Sequence, residues 1–129
     1  MMIVAMAAAA LVTGCGSVGA RGDAAAAVAL RMLQAVEHDD GATACTLLAP
    51  DTAAEVEQSN GKSCPEAILD EDLPAPGAVT RTEVYGQQAQ VRLSGDTVFL
   101  GAFADGWRVV AAGCTPRGER PYDCIVQGG

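Results

Sequence analysis

Two observations predict an α+β fold with the helices first. Helical spacing of apolar residues fills the chain up to about Leu73, and strand alternation fills it from Ala78 onward. The helix-breaking run Pro74-Ala75-Pro76-Gly77 separates the two regimes. Segregated helices and an antiparallel meander form two layers, N-terminal helices packed on an antiparallel sheet of about four strands.

The first helix is expected from Ala24 to Glu37, with Asp23 as its N-cap. Ala25, Val28 or Ala29, Met32 and Val36 recur on one face, with Leu30 and Leu33 beside it. His38-Asp39-Asp40-Gly41 closes it, and Asp40 then caps a second helix over Ala42–Ala49, stopped by Pro50. Thr52 with Glu55 three residues later spells a capping box for a third helix of about two turns. Asn60-Gly61 ends that helix. Ser63-Cys64-Pro65-Glu66 starts a short fourth one, halted by Asp70-Glu71-Asp72.

Ala78–Tyr85 and Gln87–Leu93 read as strands broken at Gly86. In the second, Ala89, Val91 and Leu93 alternate with Gln88, Gln90 and Arg92, one side buried and one wet. Ser94-Gly95-Asp96 turns into Thr97–Ala104. Asp105-Gly106 then signals a two-residue type I′ hairpin, from which Trp107–Gly113 returns. A loop over Thr115–Pro121 leads to a last short strand around Tyr122–Gln127.

Composition excludes several roles. With 16 acidic and 8 basic residues the formal charge is −8, the opposite of what phosphate binding needs. Nucleic acid is therefore not an expected partner, nor is an anionic lipid surface held by protein charge. There is no Gly-rich phosphate loop, no Gly-x-Ser-x-Gly elbow and no nucleophile–base pair, so no catalytic residue and no cofactor is assigned.

The five cysteines divide into one plus four. Met1–Gly14 carries no charged residue, is too short to span a bilayer, and ends Val12-Thr13-Gly14-Cys15. This ending resembles the lipobox of bacterial lipoproteins, in which the Cys thiol receives a diacylglycerol group and cleavage falls just before it. The resemblance implies a signal peptide over residues 1–14 and a lipid-anchored chain from Cys15, on the outer face of the cell membrane. Two acyl chains suit stable anchoring, since one alone binds marginally. Lipoprotein signals open with Lys or Arg, and neither precedes Cys15, so a translation start upstream of Met1 is expected. Residues 15–22, rich in small side chains, read as a flexible tether with a reach of at most about 25 Å. Residues 23–129 then form a single domain.

Cys45, Cys64, Cys114 and Cys124 form an even set in an exported chain, and allow three disulfide connectivities. Proximity favours Cys45–Cys64 and Cys114–Cys124, each contributing roughly 2–4 kcal/mol. No Cys-x-x-Cys pair is present and His38 lies elsewhere, so neither a metal site nor a redox role is expected.

Other candidates have structural explanations close at hand. His38-Asp39-Asp40 puts an imidazole beside carboxylates, yet adjacent helical residues do not face one another. Asp70-Glu71-Asp72 lacks the spaced ligands and the Gly of a calcium loop. Arg108, Arg117 and Arg120 are placed either to collect an anion or to pair with Asp105, Glu119 and Asp123. Arg21-Gly22-Asp23 spells an adhesion tripeptide within the tether. Phe99, Phe103 and Trp107 flank the hairpin, as core or as the lining of a pocket.

Over most of Asp23–Gly129 the chain resembles a group of small lipoproteins of high-GC Gram-positive bacteria. The stretches that carry the resemblance are Ala44-Cys45-Thr46-Leu47-Leu48-Ala49-Pro50, Cys64-Pro65-Glu66-Ala67, Val91-Arg92-Leu93-Ser94-Gly95-Asp96-Thr97-Val98-Phe99-Leu100 and Asp105-Gly106-Trp107-Arg108-Val109, with the endings Ala112-Gly113-Cys114-Thr115-Pro116 and Pro121-Tyr122-Asp123-Cys124. Such chains are similar to the NTF2-like, cystatin-like fold, in which a curved sheet wraps helices into a cone. That resemblance implies either a binding module for a small ligand or a neighbouring envelope protein, or a small enzyme with Asp, His or Tyr inside the cone. An accessory role beside an envelope membrane protein is a further expectation.

Overall fold

The computed structural model describes residues 18–128. Four helices come first: α1 (Val18–Glu37), α2 (Gly41–Thr46), α3 (Pro50–Asn60) and α4 (Cys64–Ala67), the last running into a 3₁₀ turn over Ile68–Glu71. Five strands follow: β1 (Val79–Tyr85), β2 (Gln88–Leu93), β3 (Thr97–Phe103), β4 (Gly106–Arg117) and β5 (Arg120–Gln127). They form one antiparallel sheet in the order β1-β2-β3-β4-β5. The α+β class and its helix-then-sheet order are as the sequence predicts. No described helix is long and apolar enough to cross a membrane.

Five strands stand where about four were expected: the last short strand is a full member of the sheet. The hairpin that carries it is longer than expected because Thr115–Pro121 is not a loop. β4 runs on to Arg117 and β5 starts at Arg120, leaving Gly118 and Glu119 to turn. The prolines misdirect the reading. Pro116 sits where the β4–β5 register slips between Thr115 and Arg117, a bulge at which its missing N–H is tolerated. Cys114 lies directly opposite Cys124 and is bonded to it, and the Arg117 guanidinium donates to the Pro121 carbonyl at 3.1 Å.

α1 also departs from expectation. It is already helical at Val18, the first described residue, so Asp23 lies inside the helix and part of the expected tether is helical. The cause is tertiary. Buried Gly22 faces Thr82 and Val84 of β1, and Arg21 donates to the Gly86 carbonyl at 2.7 Å while its guanidinium lies 5.3 Å from the Trp107 ring centre. These contacts hold a first turn that propensity alone does not specify. The adhesion tripeptide is accordingly helical, with its glycine buried.

At the other end of α1, Asp39 adopts φ 57°, the Asp40 N–H reaches the Ala35 carbonyl and the Asp39 N–H reaches that of Val36. Asp40 then caps α2 through Thr43, as the sequence predicts. Two other expected caps do not form. Ser63 makes no side-chain cap bond, and α3 is capped by Ala49 without one, starting at Pro50. Thr52 is fully buried instead, and its hydroxyl donates to the Val110 carbonyl at 2.8 Å.

The core lies between the helices and one face of the sheet. Met32 and Leu33 of α1, Leu48 and Ile68 meet Val91, Val98, Leu100 and Val109 of the strands, each at most 2% exposed. The second layer is fastened by Cys45–Cys64, joining α2 to the start of α4 with Cα atoms 6.1 Å apart. Gly41 lies at the same junction, where a Cβ would fall 1.8 Å from the Pro65 carbonyl oxygen. No flexible side chain is there to move aside. Gly41→Ala is therefore expected to destabilise the domain by about 3 kcal/mol, the upper end for an overpacked core position, through displacement of backbone. Urea unfolding checks this, and a loss below about 1 kcal/mol contradicts the close packing of α2 on α4.

Candidate functional site

Strand alternation decides which residues are free to act. In β3, Val98 and Leu100 point to the helices, so Phe99, Gly101 and Phe103 occupy the far face. Opposite them β4 slips register between its pairings Phe99↔Ala111 and Leu100↔Val109, leaving Val110 as the extra residue of a bulge. Val110 thereby joins the far face, its side chain 3.4 Å from where a Gly101 Cβ would stand.

The bulge is held from behind. The Val110 carbonyl accepts from the Thr52 hydroxyl at 2.8 Å and from the Gly128 N–H at 3.0 Å. Beside it, Ala49 N–H donates to the Val109 carbonyl and Val109 N–H to Leu47, both at 2.8 Å, a short parallel bridge that covers this edge of β4. Further along, Gly113 takes φ +65° with Ile125 where its side chain would be. The β4–β5 hairpin curls over the far face, because Tyr122 meets the Phe99 ring edge-on at 5.1 Å and accepts from Gln90 at 3.3 Å.

Three adjoining depressions result, of about 170, 300 and 360 Å³, and Val110 lines all of them. Phe103 is shared by the first two, and Phe99 by the last two. Together they make a trough floored by Phe99, Phe103, Val110 and Ala111 and bordered by Tyr122 and the amides of Gln88 and Gln127. Asp51 at one end is its only charged lining residue among those described. In a chain of charge −8 such a neutral apolar strip is set apart from the remaining surface.

The sequence candidates scatter. Phe99 and Phe103 come together in the trough, outside the core. Trp107 goes to the other side, against the core and under Arg21. The hairpin they flank turns on Ala104-Asp105 with Phe103↔Gly106 as its last pair, one residue earlier than expected. Neither turn residue has positive φ, so the turn is not type I′, and Gly106 follows it at φ 120°. Both expected disulfides are present. Cys15 lies outside the described residues.

The remaining candidates serve the scaffold. His38 and Asp39 sit exposed at the end of α1. Asp70 pairs with Lys62 at 2.6 Å, and Glu71 accepts from Asn60 at 2.5 Å. Arg108 pairs with Asp105 and donates to the Thr46 carbonyl at 2.7 Å. Among the described residues Arg117 and Arg120 form no ion pair with Glu119 or Asp123, and they stand at the far tip of β4–β5 from Arg108, so the three do not converge on an anion. No three metal-ligating side chains cluster among the described residues. The chain, compared with known proteins, matches no protein-family model, no curated protein and no solved structure.

Sequence reasoning missed Val110, Thr52 and Tyr122. One signal was legible: Val98-Phe99-Leu100-Gly101-Ala102-Phe103 has no polar residue on either side, so neither face of β3 is designed for water alone.

It also missed Asp96. Its carboxylate accepts the N–H groups of Thr97, Gly113 and Cys114 at 2.7, 2.8 and 3.0 Å, tying the β2–β3 turn to the kink of β4. Burial pushes its pKa above the ordinary 3.8, outweighing the three N–H donors, which act downward. Asp96→Ala leaves the Gly113 and Cys114 amides without their acceptor and is expected to cost about 1–3 kcal/mol. Because the folded value is raised, the carboxyl's contribution to stability is complete below 3.8 and is lost as pH rises through the folded value. An Asp96→Asn chain, which does not titrate there, should gain on the wild type as pH rises from 3.8 through the folded value and keep that gain to neutrality. Unfolding both at a series of pH values checks this, and a wild type that gains instead contradicts it.

Proposed function

We propose that this chain is a lipid-anchored, extracytoplasmic binding module without catalytic activity, and that the far-face trough is its binding surface. The observation that carries the reading is the continuous neutral floor of Phe99, Phe103, Val110 and Ala111, open to solvent on a scaffold whose interior is filled. Phe103, within this floor, is 42% exposed. Its occupant is a small neutral apolar ligand, or an apolar segment of an envelope protein. Supporting the compartment are the two disulfides, which persist in oxidising surroundings, and the lipobox-like ending at Cys15. Kinship with actinobacterial lipoproteins and with the NTF2-like, cystatin-like fold belongs to this proposal, supported by helices leading into an antiparallel meander.

The enzyme alternative needs a cavity between helices and sheet with an acid, His or Tyr inside. That interior holds Met32, Leu33, Val98 and Leu100 in contact, and this weighs against it. Two substitutions separate the two halves of the proposal. Cys15→Ala should release the protein from membranes on fractionation and leave binding of the neutral fluorophore N-phenyl-1-naphthylamine intact. Phe103→Gln should leave fractionation and stability unchanged and weaken the fluorophore by roughly tenfold, the order of one lost apolar anchor. Unaltered fluorophore binding in Phe103→Gln overturns the trough as the binding surface.

A further inference from the structure

The domain has one end suited to lie on lipid. The Arg21–Gly86 hydrogen bond places the start of α1 beside the β1–β2 turn, and Ala102 N–H donates to the Gln87 carbonyl at 2.8 Å, placing the end of β3 beside the same turn. Three large apolar side chains are exposed at this end: Val18 at 70%, Tyr85 at 60% and Phe103 at 42%. One of the three, Tyr85, is an amphipathic aromatic of the kind that settles at a bilayer's headgroup level.

Covalent geometry sets how close this end stands to the lipid. Cys15 precedes Val18 by three residues, and three residues span at most about 11 Å when fully extended. With its acyl chains in the bilayer, Cys15 therefore holds Val18, and with it the two turns, at the depth of the headgroups or just above.

Charge agrees with that orientation. Two acids that flank the two turns are matched by arginines, Glu83 with Arg81 at 2.5 Å and Asp105 with Arg108, whereas Asp51, which shares a depression with Phe103, forms no ion pair among the described residues. Glu37, Asp39 and Asp40 lie at the opposite end of this 20-residue helix, about 30 Å away, where an anionic surface would not repel them.

We infer that the end of the domain formed by Val18, Tyr85 and Phe103 rests on the membrane surface, so that the far-face trough, which reaches Phe103, opens at the bilayer. The inference rests on lipidation of Cys15 and adds an orientation to it.

The test uses the full chain purified with its lipid from membranes and reconstituted in phosphatidylcholine–phosphatidylglycerol vesicles with bromine on the upper acyl chains. Tyr85→Trp and Ile125→Trp, each combined with Trp107→Phe, report the near end and the β5 side of the domain. Emission from Tyr85→Trp should be lost to bromine quenching while that from Ile125→Trp is retained. Hydrogen exchange on the unsubstituted protein gives the same answer without relying on a variant that folds. Amides over 84–88 and 102–106 should be slowed on vesicles relative to detergent, and those over 94–96 should not. The mass of the N-terminal peptide is read in parallel. An unmodified Cys15 overturns both the anchor and the orientation. An acylated Cys15 with equal quenching and equal protection at both ends overturns the orientation alone.

Discussion

The carbonyl of Val110 is the point on which the arrangement of this domain depends. It accepts hydrogen bonds from Thr52 at the start of α3 and from Gly128 at the end of β5, and so joins the helical layer, β4 and the C-terminal strand at one oxygen. An extra residue in a strand leaves backbone groups outside the ladder, and such groups are costly when buried unless they find partners. Here Thr52 and Gly128 supply them. The bulge can then persist, and with it the placement of two successive residues, Val110 and Ala111, on the same face of the sheet.

From that placement follows the division of labour between the faces. The near face takes Val91, Val98, Leu100 and Val109 and closes on α1. The far face takes Phe99, Phe103, Val110 and Ala111 and receives no helix. The β4–β5 hairpin covers part of it, kinked at Gly113 with Asp96 holding that kink and Cys114–Cys124 fixing the strands beyond. The scaffold is thus strongly cross-linked around an apolar strip that it leaves open, and this points to recognition at a surface over chemistry in an interior. In the orientation proposed above, one mouth of the strip would open at the bilayer, where apolar occupants are concentrated.

Much of the scaffold was legible in the chain. The order of elements, the Asp40 cap and the pairing of the four cysteines rest on local signals: short sequence separations, a capping side chain next to its helix, the break at Pro74–Gly77. What was not legible depends on contacts distant in sequence. Residues 18–22 are helical because Arg21 and Gly22 find β1, Gly86 and Trp107. Thr52 abandons its capping role because Val110, far along the chain, offers an acceptor. Pro116 is compatible with a strand because the register slips there. The trough itself could not be read because a one-residue bulge reassigns faces, and nothing near Val110 announces it.

The claim that recognition takes place on the open sheet face, with the helix–sheet interior closed, is tested most directly by following backbone amide resonances while the folded domain is titrated with a neutral apolar probe such as N-phenyl-1-naphthylamine. The account predicts saturable shifts at Phe99, Gly101, Phe103 and Val110, with the resonances of Met32, Leu33, Val91 and Val98 unmoved. Shifts concentrated at Met32, Leu33, Val91 and Val98 would contradict it, by showing that the interior opens to ligands and the far face does not bind them.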